Sequence, residues 1–367
     1  MKQVIIIGDS SHNTLSAVRS FGEAGIPLAL ILVCLQDVHF VQQSKYLKSG
    51  NCYVVPALDG CHTVLERLHE DGLSQILMTT FDAAAQWVDE REKQLSKWFQ
   101  TPCRGKQLGK LFNKAEQCKL AAECGLLVPK SVIYTRVDLP LDNSIPYPLI
   151  TKPLVSSEGE KGDIHICNNS QELDEALALE SHCEKFLIQE YIKKDFEINA
   201  LGVSTDKGVV FGGAIHKVRH WPPLVGTCSF GVFDRIASFN LDLDGIRCFL
   251  EHSGYHGSFS VEFVHTKEGS NYFMEVNFRN DGLAYASTCA GANLHALYAD
   301  GNYQIDWKRF RRTYMMNYSI DLLYVKQGRL SWYRWLWDFL RTRCFINFCW
   351  SDLGPLIAYY KAKWKRH

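Results

Sequence analysis

The sequence predicts a globular α/β protein that continues into an α+β part, built from two or three packed domains. The chain has 367 residues, 46% of them hydrophobic and 22% charged, which is ordinary for a globular protein and excludes disordered, collagen-like and coiled-coil chains. A single hydrophobic core stops growing near roughly 250–300 residues, so a chain of this length is expected to have more than one core. The first hundred residues alternate strand and helix patterns, and most later patterns are strands. This order predicts a parallel sheet first and a mostly antiparallel sheet later.

The first unit, residues 1–108, is predicted to be Rossmann-like. Val4–Ile7 is a continuous β-branched run, as expected for a strand buried on both faces. A helical pattern over Asn13–Ala24 ends at Gly25, a common residue after a helix. Leu28–Val33 forms the next strand pattern. Strands and helices in alternation predict a small parallel sheet with helices on both faces.

The turn between the first strand and helix lacks the G-x-G-x-x-G fingerprint, so we do not predict dinucleotide binding as its main role. Ser10, Ser11 and His12 in this turn are candidate substrate contacts. The alternative is that His12 only caps the helix or lies at the surface.

The middle unit covers residues 109–190. Asn113 is placed to cap a helix that ends at Gly125. The strand Leu149–Lys152 is followed by a polar, glycine-containing loop over Ser156–Asp163. Backbone amides of such a loop can bind an anion, although an ordinary surface loop has the same composition.

The third unit, residues 191–305, contains a hairpin with polar residues on one face. Its predicted strands are Glu197–Val203, Val209–His216, Ser258–Val264 and Tyr272–Val276. Since alternate residues of a strand share a face, Glu275, Asn277 and Arg279 point the same way, and the hairpin brings Glu262 beside them. Two carboxylates and an amide oxygen form the ligand set that Mg²⁺ prefers. Arg279 suits a phosphoryl or carboxylate group; the alternative is that this is only the solvated face of a hairpin.

Several motifs in a fixed order over residues 1 to about 300 resemble the ATP-grasp superfamily of carboxylate–amine ligases. They are Asn113-Lys114, Ile150-Thr151-Lys152-Pro153, the loop with Gly159 and Gly162, Ile188-Gln189-Glu190-Tyr191-Ile192, Glu197, and the set Glu262, Glu275 and Asn277. The opening of the chain, Val4–Gly8 through Leu15–Gly22 to Ser44–Tyr46, resembles the D-aspartate-ligase and carbamoyl-phosphate-synthase-like branch. The resemblance implies an ATP-grasp fold. Residues 1–108 would be the pre-ATP-grasp domain, 109–190 and 191–305 the two ATP-grasp subdomains, and 306–367 a helical appendix.

The resemblance also implies a role for each candidate residue. Phosphate contacts would come from Lys114, Lys152, Ser156, Gly159 and Gly162. The adenine would lie on Glu190, Tyr191 and Ile192, and the ribose on Glu197. Glu262, Glu275 and Asn277 would bind Mg²⁺ or Mn²⁺. Lys217, Arg219 and Arg279 would supply cations to the transferred phosphate or the substrate carboxylate; alternation places Lys217 and Arg219 on one side of their strand, which is equally typical of a charged strand edge.

The implied activity is ATP-dependent formation of an amide bond between a small carboxylate and an amine through an acyl phosphate. An amino-acid ligase acting on a cell-envelope or polysaccharide precursor is the preferred interpretation. A nucleotide-binding protein without catalysis is one alternative, and a membrane-binding or nucleic-acid-binding module is another. We also expect a homodimer as one assembly to test.

The end of the chain has a distinct composition. Residues 301–367 carry 13 lysines and arginines against 4 aspartates, and five of the nine tryptophans lie from Trp332 onward. Trp332, Trp335 and Leu336 recur at helical spacing with arginines between them. Basic residues mixed with Trp and Tyr suit the headgroup layer of an anionic membrane, so residues 329–367 are a candidate peripheral membrane contact. The alternative is a helical pair packed on the body. Nucleic acid is a weaker candidate because no recognition motif is present.

Thirteen cysteines without a repeated spacing predict reduced thiols and a cytoplasmic protein. Cys118, Cys124 and Cys289 lie in helical patterns and are expected to be small buried residues. The run Ile26–Leu35 is too short to span a bilayer, which takes about 20 residues. No secretory signal is recognised ahead of the first strand.

Overall fold

The computed structural model describes residues 2–35, 39–48, 50–69, 75–104, 106–135, 144–154, 164–179, 185–223 and 226–364. Within these residues the chain forms a parallel sheet and two antiparallel-rich sheets, with helices packed around them. The predicted α/β and α+β classes are therefore confirmed. The loop predicted over 156–163, with Ser156, Gly159 and Gly162, lies outside the described residues, as do Lys365 and Arg366.

The first sheet is parallel, with the strand order β3-β2-β1-β4. Its strands are β1 (Val4–Asp9), β2 (Leu28–Val33), β3 (Cys52–Val55) and β4 (Ile76–Thr79). Its helices are α1 (His12–Glu23), α2 (Gly60–Leu68), α3 (Asp82–Glu90) and the short α4 (Glu92–Leu95). Because β1 lies between two strands and two helical layers, alternate residues enter different cores: Ile6 packs with Phe21, and Ile5 packs with Leu65. This explains the uninterrupted apolar run.

The second sheet is antiparallel, with the strand order β5-β8-β6-β7. Its strands are β5 (Ser131–Thr135), β6 (Leu149–Pro153), β7 (His165–Cys167) and β8 (Lys185–Glu190), and its helices are α5 (Lys114–Glu123) and α6 (Ser170–Leu179). The Asn113 side chain accepts hydrogen bonds from the amides of Ala115 and Glu116 at 2.8 and 3.4 Å, so it caps α5 as predicted. The cap points Lys114, the first residue of α5, toward the cleft between the second and third sheets.

The third sheet has seven strands in the order β13-β12-β9-β10-β11-β14-β15. They are β9 (Phe196–Thr205), β10 (Gly208–Trp221), β11 (Thr227–Asp234), β12 (Ser258–His265), β13 (Asn271–Asn277), β14 (Thr313–Met316) and β15 (Cys344–Phe345). The remaining helices are α7 (Leu243–Ser253), α8 (Tyr285–Cys289), α9 (Leu294–Ala299), α10 (Tyr318–Lys326), α11 (Trp332–Arg341) and α12 (Gly354–Trp364). The strands β12 and β13 form the predicted hairpin.

Two expectations about this sheet are corrected. From its glycines the sequence predicts a flexible loop around Gly226, Thr227 and Gly231, but β11 begins at Thr227, directly after Gly226, and Gly231 lies in its buried part between β10 and β14. A Cβ at Gly231 would come within 2.9 Å of Ile215, so close strand packing explains this glycine. Residues 306–367 are also not purely helical, because β14 and β15 extend the sheet before and after α10 and α11.

The last part of the chain is locked onto the first unit by a buried ion pair. Arg19 Nε on α1 lies 3.0 Å from Asp352 Oδ2, and neither side chain is exposed to solvent. Asp352 also accepts from the Ser44 hydroxyl at 2.9 Å and the Lys45 amide at 2.8 Å. Residues more than three hundred positions apart therefore share one packed region. No helix in the described part of the chain has the length and apolar character needed to cross a bilayer.

The expectation of reduced thiols is corrected at one position. Cys124, at the end of α5, pairs with Cys248 on α7 as a disulfide with a Cα–Cα distance of 5.7 Å. Cys124 is thus half-buried and bonded, not a small buried thiol. The two helices pack side by side although 124 positions separate the cysteines, and sequence spacing gives no sign of that contact. Cys118 is buried as predicted, whereas Cys289 is half-buried.

Candidate active site

A cavity of about 600 Å³ lies where the three sheets meet. Its walls combine charged residues of β9, β10, β12 and β13 with Lys114 at the start of α5 and Lys152 on β6. The first turn, after β1, closes one end of the cavity. The structure thus brings together residues from all three predicted units.

Oxygen ligands line the floor of the cavity on adjacent strands. Glu262 of β12 lies directly opposite Glu275 of β13, and Asn277 follows two residues later on the same strand. This is the arrangement that the hairpin pattern predicts. Two carboxylates and an amide oxygen form a hard, all-oxygen donor set, which fits Mg²⁺ or Mn²⁺.

The strand β9 adds Asn199, which the sequence analysis missed. Asn199 lies opposite Glu262 in the sheet register. Its Nδ2 donates to Asp281 at 3.2 Å, while its buried Oδ1 has no hydrogen-bond partner among the described residues. An unpaired buried acceptor beside carboxylates is costly unless a cation or donor occupies the site. The pattern that could have identified it is the alternation Glu197, Asn199 along one strand face.

Cationic side chains face these oxygens. Lys114 Nζ lies 3.4 Å from Glu275 Oε2, and Lys217 Nζ lies 3.0 Å from Glu262 Oε2. Lys152 is buried nearby and also lines the cavity. Burial lowers the pKa of Lys152 to about 8, and the charge of Lys114 lowers it further in the same direction. The three lysines form a positive wall opposite the carboxylates.

Glu197 is held by three neighbours. Its Oε2 lies 3.3 Å from Lys217 Nζ and 3.1 Å from His220 Nε2, and Lys194 contacts its other oxygen. Burial alone would raise the pKa of Glu197, but the hydrogen bond from His220 and the charges of Lys217 and Lys194 hold it well below its usual range. Burial also disfavours the protonated form of Lys217, yet the negative charges of Glu262 and Glu197 raise the pKa of Lys217 above its ordinary value. Glu197 is therefore an anion at neutral pH.

The prediction that Arg219 shares the site with Lys217 is corrected. The pairing of β10 with β11 shifts register on both sides of Arg219, as at a β-bulge. The shift turns Arg219 away from the cavity, where it pairs with Asp321 and Asp338. It also turns His220 back toward Glu197. Simple alternation fails here because the bulge inserts an extra residue.

Arg279 stays at the cavity and joins two units. Its Nε lies 2.8 Å from Asp82 Oδ1 at the start of α3, and its Nη2 donates to Asn277 Oδ1 at 3.0 Å. Burial disfavours its charge, but Asp82 and Asp281 raise the pKa of Arg279 further above its ordinary value. A permanent guanidinium next to the oxygen ligands suits a phosphoryl or carboxylate group.

The predicted hinge residues line an apolar part of the cavity. Glu190, Tyr191 and Ile192 follow one another at the end of β8, and the Tyr191 amide donates to Pro148 O at 3.2 Å. Apolar side chains lie around them: Ile150, Ile164, Ile166, Phe263, Val264 and Met274. A planar, weakly polar ring would fit between these walls.

The first turn closes the other end of the cavity. Ser11, His12 and Asn13 line it, and Asn13 Oδ1 accepts from the Gly282 amide at 2.8 Å. Burial lowers the pKa of His12 to about 4, with a further contribution from the charge of Arg19. His12 is therefore a neutral imidazole inside the cavity wall, in contrast to the surface or capping alternative.

No protein family and no curated protein matches the sequence. Solved structures do match. An L-amino acid ligase from Bacillus licheniformis is 16% identical with a TM-score of 0.61, covering 81% of this chain and 73% of that one. An N5-carboxyaminoimidazole synthetase from Staphylococcus aureus, complexed with ADP, is 14% identical with a TM-score of 0.66, covering 89% of this chain and 86% of that one.

A third similar structure is the biotin carboxylase domain of the 2-oxoglutarate carboxylase from Hydrogenobacter thermophilus, in complex with MgADP and bicarbonate. It is 14% identical with a TM-score of 0.63, covering 85% of this chain and 73% of that one. These identities are low, so the likeness concerns the arrangement of the chain in space. Together with the cavity between two antiparallel sheets and the preceding parallel sheet, it shows that this chain has the ATP-grasp fold.

Proposed function

We propose that this protein is an ATP-dependent ligase that joins a carboxylate to an amine. The observation that carries the proposal is the cavity floor, where Glu262, Glu275 and Asn277 face Lys114 and the other cavity cations. A surface with ordinary solvated charges would not bury oxygen ligands and cations together. The likeness in fold to an L-amino acid ligase and to an N5-carboxyaminoimidazole synthetase complexed with ADP supports the same activity.

In this proposal each part of the cavity binds one part of the nucleotide. Lys114 and Lys152 contact phosphate oxygens, Glu190 to Ile192 hold the base, and Glu197 binds the ribose hydroxyls. Glu262, Glu275 and Asn277 would hold Mg²⁺ or Mn²⁺, with Asn199 beside them. Such an ion would supply positive charge to the phosphate oxygens.

The reaction follows from a chemical need: a carboxylate is a poor electrophile because its oxygen is a poor leaving group. An oxygen of the substrate carboxylate attacks the γ-phosphorus, the bond to ADP breaks, and an acyl phosphate forms. The amine then attacks the acyl carbon, the carbon–nitrogen bond forms, and inorganic phosphate leaves. Arg279 and Lys217 provide fixed positive charge, while alignment and exclusion of water supply most of the catalysis.

The acceptor end of the cavity bears on the substrate. We assign the substrates to the region around Ser11, His12 and Asn13, because the apolar region is used by the base. Asp281 there suits an ammonium group, and Arg279, which pairs with Asp82, suits a carboxylate. An amino acid fits these two charges, and we propose a cell-envelope or polysaccharide precursor as the molecule to which it is joined.

The test is thermal unfolding with and without Mg·ATP, followed by phosphate release. At a hundredfold excess over Kd, ligand binding adds about 2.7 kcal/mol, which raises the midpoint of a domain of 150–250 residues by roughly 5–10 °C. We expect Glu275→Ala to lose this rise and Glu251→Ala, an exposed glutamate on α7, to keep it.

Phosphate release with amino acids as substrates then separates a ligase from a protein that only binds nucleotide. Release that depends on both a carboxylate and an amine supports the ligase. A magnesium-dependent thermal shift without release under any substrate pair would favour the non-catalytic alternative. An equal shift in both variants would contradict the assignment of the metal ligands.

A further inference from the structure

Helix α11 exposes an apolar face. Its exposed side chains include Trp332, Tyr333, Leu336, Trp337 and Leu340. An α-helix turns about 100° per residue, so these five positions fall within a sector of about 140°. The opposite side is buried through Trp335 and Asp338. A surface helix normally turns its polar residues to water, and α11 does the reverse over much of its exposed face.

A series of packed rings runs from this face, through the buried Trp335, to a second exposed tryptophan, Trp350. Neighbouring ring centroids lie 4.7–5.7 Å apart along the series Trp332, Trp335, Phe339, Phe345, Phe348 and Trp350. Trp350, at its end, is 82% exposed. Helix α12 adds Ile357 and Trp364 as exposed apolar residues, and its Tyr360 hydroxyl lies 2.9 Å from that of Tyr318 on α10. We call the exposed residues of 326–364 the C-terminal surface.

The fold hides every negative charge of this segment. Between Tyr318 and Trp364 the acidic residues are Asp321, Asp338 and Asp352, and each has a fully buried side chain paired with an arginine. The exposed charged residues are all basic: Lys326, Arg329, Arg334, Arg343, Lys361 and Lys363. The sequence has a moderate positive excess here, but the surface of this segment is purely cationic.

We propose that the C-terminal surface docks on the interface of an anionic membrane. Trp and Tyr place an apolar ring and a polar edge in the headgroup layer, and exposed leucines gain by leaving water. Lysines and arginines near an anionic bilayer are attracted to its surface. The exposed residues of the C-terminal segment supply all three features.

Two other occupants fit the surface less well. Single-stranded nucleic acid would use the aromatic rings and the positive charge, but it offers nothing to the aliphatic Leu336, Leu340 and Ile357. A second copy of the chain in a two-fold interface would set this cationic surface against itself. An anionic lipid layer satisfies the aliphatic, the aromatic and the basic residues together.

The C-terminal surface adjoins the acceptor end of the cavity. Phe345 belongs to the ring series, and the next residue, Ile346, lines the cavity. A second route runs from His12 to Phe40 at 5.6 Å and from Phe40 to Tyr359 of α12 at 5.9 Å. Docking would therefore favour an acceptor substrate held at the membrane; this last step rests on the proposed ligase function, whereas docking itself does not.

The experiment is co-sedimentation of the full-length protein with vesicles, without nucleotide or substrate. Vesicles of phosphatidylglycerol and phosphatidylcholine are compared with phosphatidylcholine alone, at low and high salt. The main variant is Leu340→Glu, and its matched control is Leu179→Glu. Both leucines are helical, at 70% and 71% exposure, but Leu179 lies on α6. Far-ultraviolet circular dichroism checks that both variants fold.

We expect wild type and Leu179→Glu to pellet with anionic vesicles and to be released by salt. Leu340→Glu should bind roughly tenfold more weakly or worse, since the change removes an apolar side chain that would enter the membrane and adds a negative charge. Arg329→Gln and Arg343→Gln should each weaken binding about fivefold on anionic vesicles only.

Several results would overturn the proposal. Wild type could stay in the supernatant, or Leu340→Glu and Leu179→Glu could lose binding equally. Light scattering could show a wild-type dimer that Leu340→Glu converts to a monomer, with no vesicle binding, which would make the surface a self-interface. Salt-sensitive binding of single-stranded RNA in place of vesicles would assign it to nucleic acid. Because none of these readouts involves ATP, failure of docking would leave the ligase proposal to its own test.

Discussion

Arg219 Nη1 lies 2.7 Å from Asp338 Oδ2, and this contact ties the central sheet to helix α11. The same guanidinium donates to both oxygens of Asp321 on α10, at 2.9 and 2.8 Å. Both aspartates are fully buried, and the guanidinium lies 4.2 Å from the centre of the Phe230 ring. Arg219 thus bridges two buried carboxylates on two helices of the C-terminal segment, and Arg341 Nη2 pairs with the other oxygen of Asp338 at 2.7 Å.

Replacing Arg219 should therefore affect stability more than nucleotide binding. We expect Arg219→Met to lower the free energy of unfolding by about 3–5 kcal/mol, because the buried Asp321 loses its paired cation and Asp338 keeps only Arg341 and the more distant Arg334. Urea unfolding of the wild type and the variant measures this difference in free energy. Arg247→Met is the control: Arg247 pairs with Asp244 at the surface, and an exposed pair contributes about 0–1 kcal/mol. Equal effects of the two changes would contradict the structural role of Arg219, and a lost Mg·ATP shift in folded Arg219→Met would restore its place in the site.

The binding of ATP should weaken at alkaline pH. Burial lowers the pKa of Lys152 to about 8, and phosphate binds the protonated amine. As pH rises through about 8 the free site loses this charge, so Kd for Mg·ATP should increase by up to about tenfold per pH unit. Kd should not depend on the titration of Lys152 below about pH 7, because its amine is protonated there in both the free and the ATP-bound protein.

Calorimetric titration from pH 6.5 to 9.5 checks this expectation. Lys152→Met should bind more weakly and lose the alkaline step, while Lys119→Met, an exposed lysine on α5, should keep it. An alkaline step of equal size in Lys152→Met would assign the titration to another group.

Asn199 should contribute to metal binding. Asn199 lies opposite Glu262 in the sheet register, and its Oδ1 has no hydrogen-bond partner in the part of the chain that the structure describes, so Asn199→Ala should weaken Mn²⁺ binding in the presence of ADP by about 10–100-fold. Electron paramagnetic resonance of free Mn²⁺ measures the affinity directly. Ser260→Ala is the comparison, because the Ser260 hydroxyl also donates to Asp281, at 2.9 Å, and accepts from Asn277 Nδ2 at 3.2 Å. A similar loss in both variants would show that hydrogen-bond support of Asp281 and Asn277, not the Asn199 oxygen itself, is what matters.

The disulfide between α5 and α7 should stabilise the fold. Reduction of the Cys124–Cys248 bond should lower the free energy of unfolding by about 2–4 kcal/mol, because the intact bond closes a long loop in the unfolded chain. Urea unfolding with and without dithiothreitol measures the effect. Cys248→Ser should unfold at the reduced midpoint under both conditions, and Cys118→Ser, at a free buried cysteine, should still respond to reductant. Alkylation of Cys124 and Cys248 in the untreated protein would contradict the pairing.

Local patterns were sufficient for much of the fold. The apolar run Val4–Ile7 identified the central strand of the first sheet, and Asn113 identified the start of α5. Glu262 and Glu275 were paired correctly because a short hairpin leaves little choice of register. These features depend on residues close in sequence, where alternation and capping act directly.

The sequence by itself therefore determined the alternation of strands and helices in the first unit, the hairpin with its carboxylates, and the basic aromatic character of the last segment. Only the tertiary structure decided that Arg219 leaves the cavity, that His220 contacts Glu197, that Asn199 lines the cavity, that Cys124 meets Cys248, and that Asp338 and Asp352 are buried while most basic residues around them stay exposed. Each of these outcomes depends on a β-bulge or on contacts between residues far apart in the chain. The energy of such contacts comes from burial and charge pairing in the packed protein, which local sequence patterns do not record.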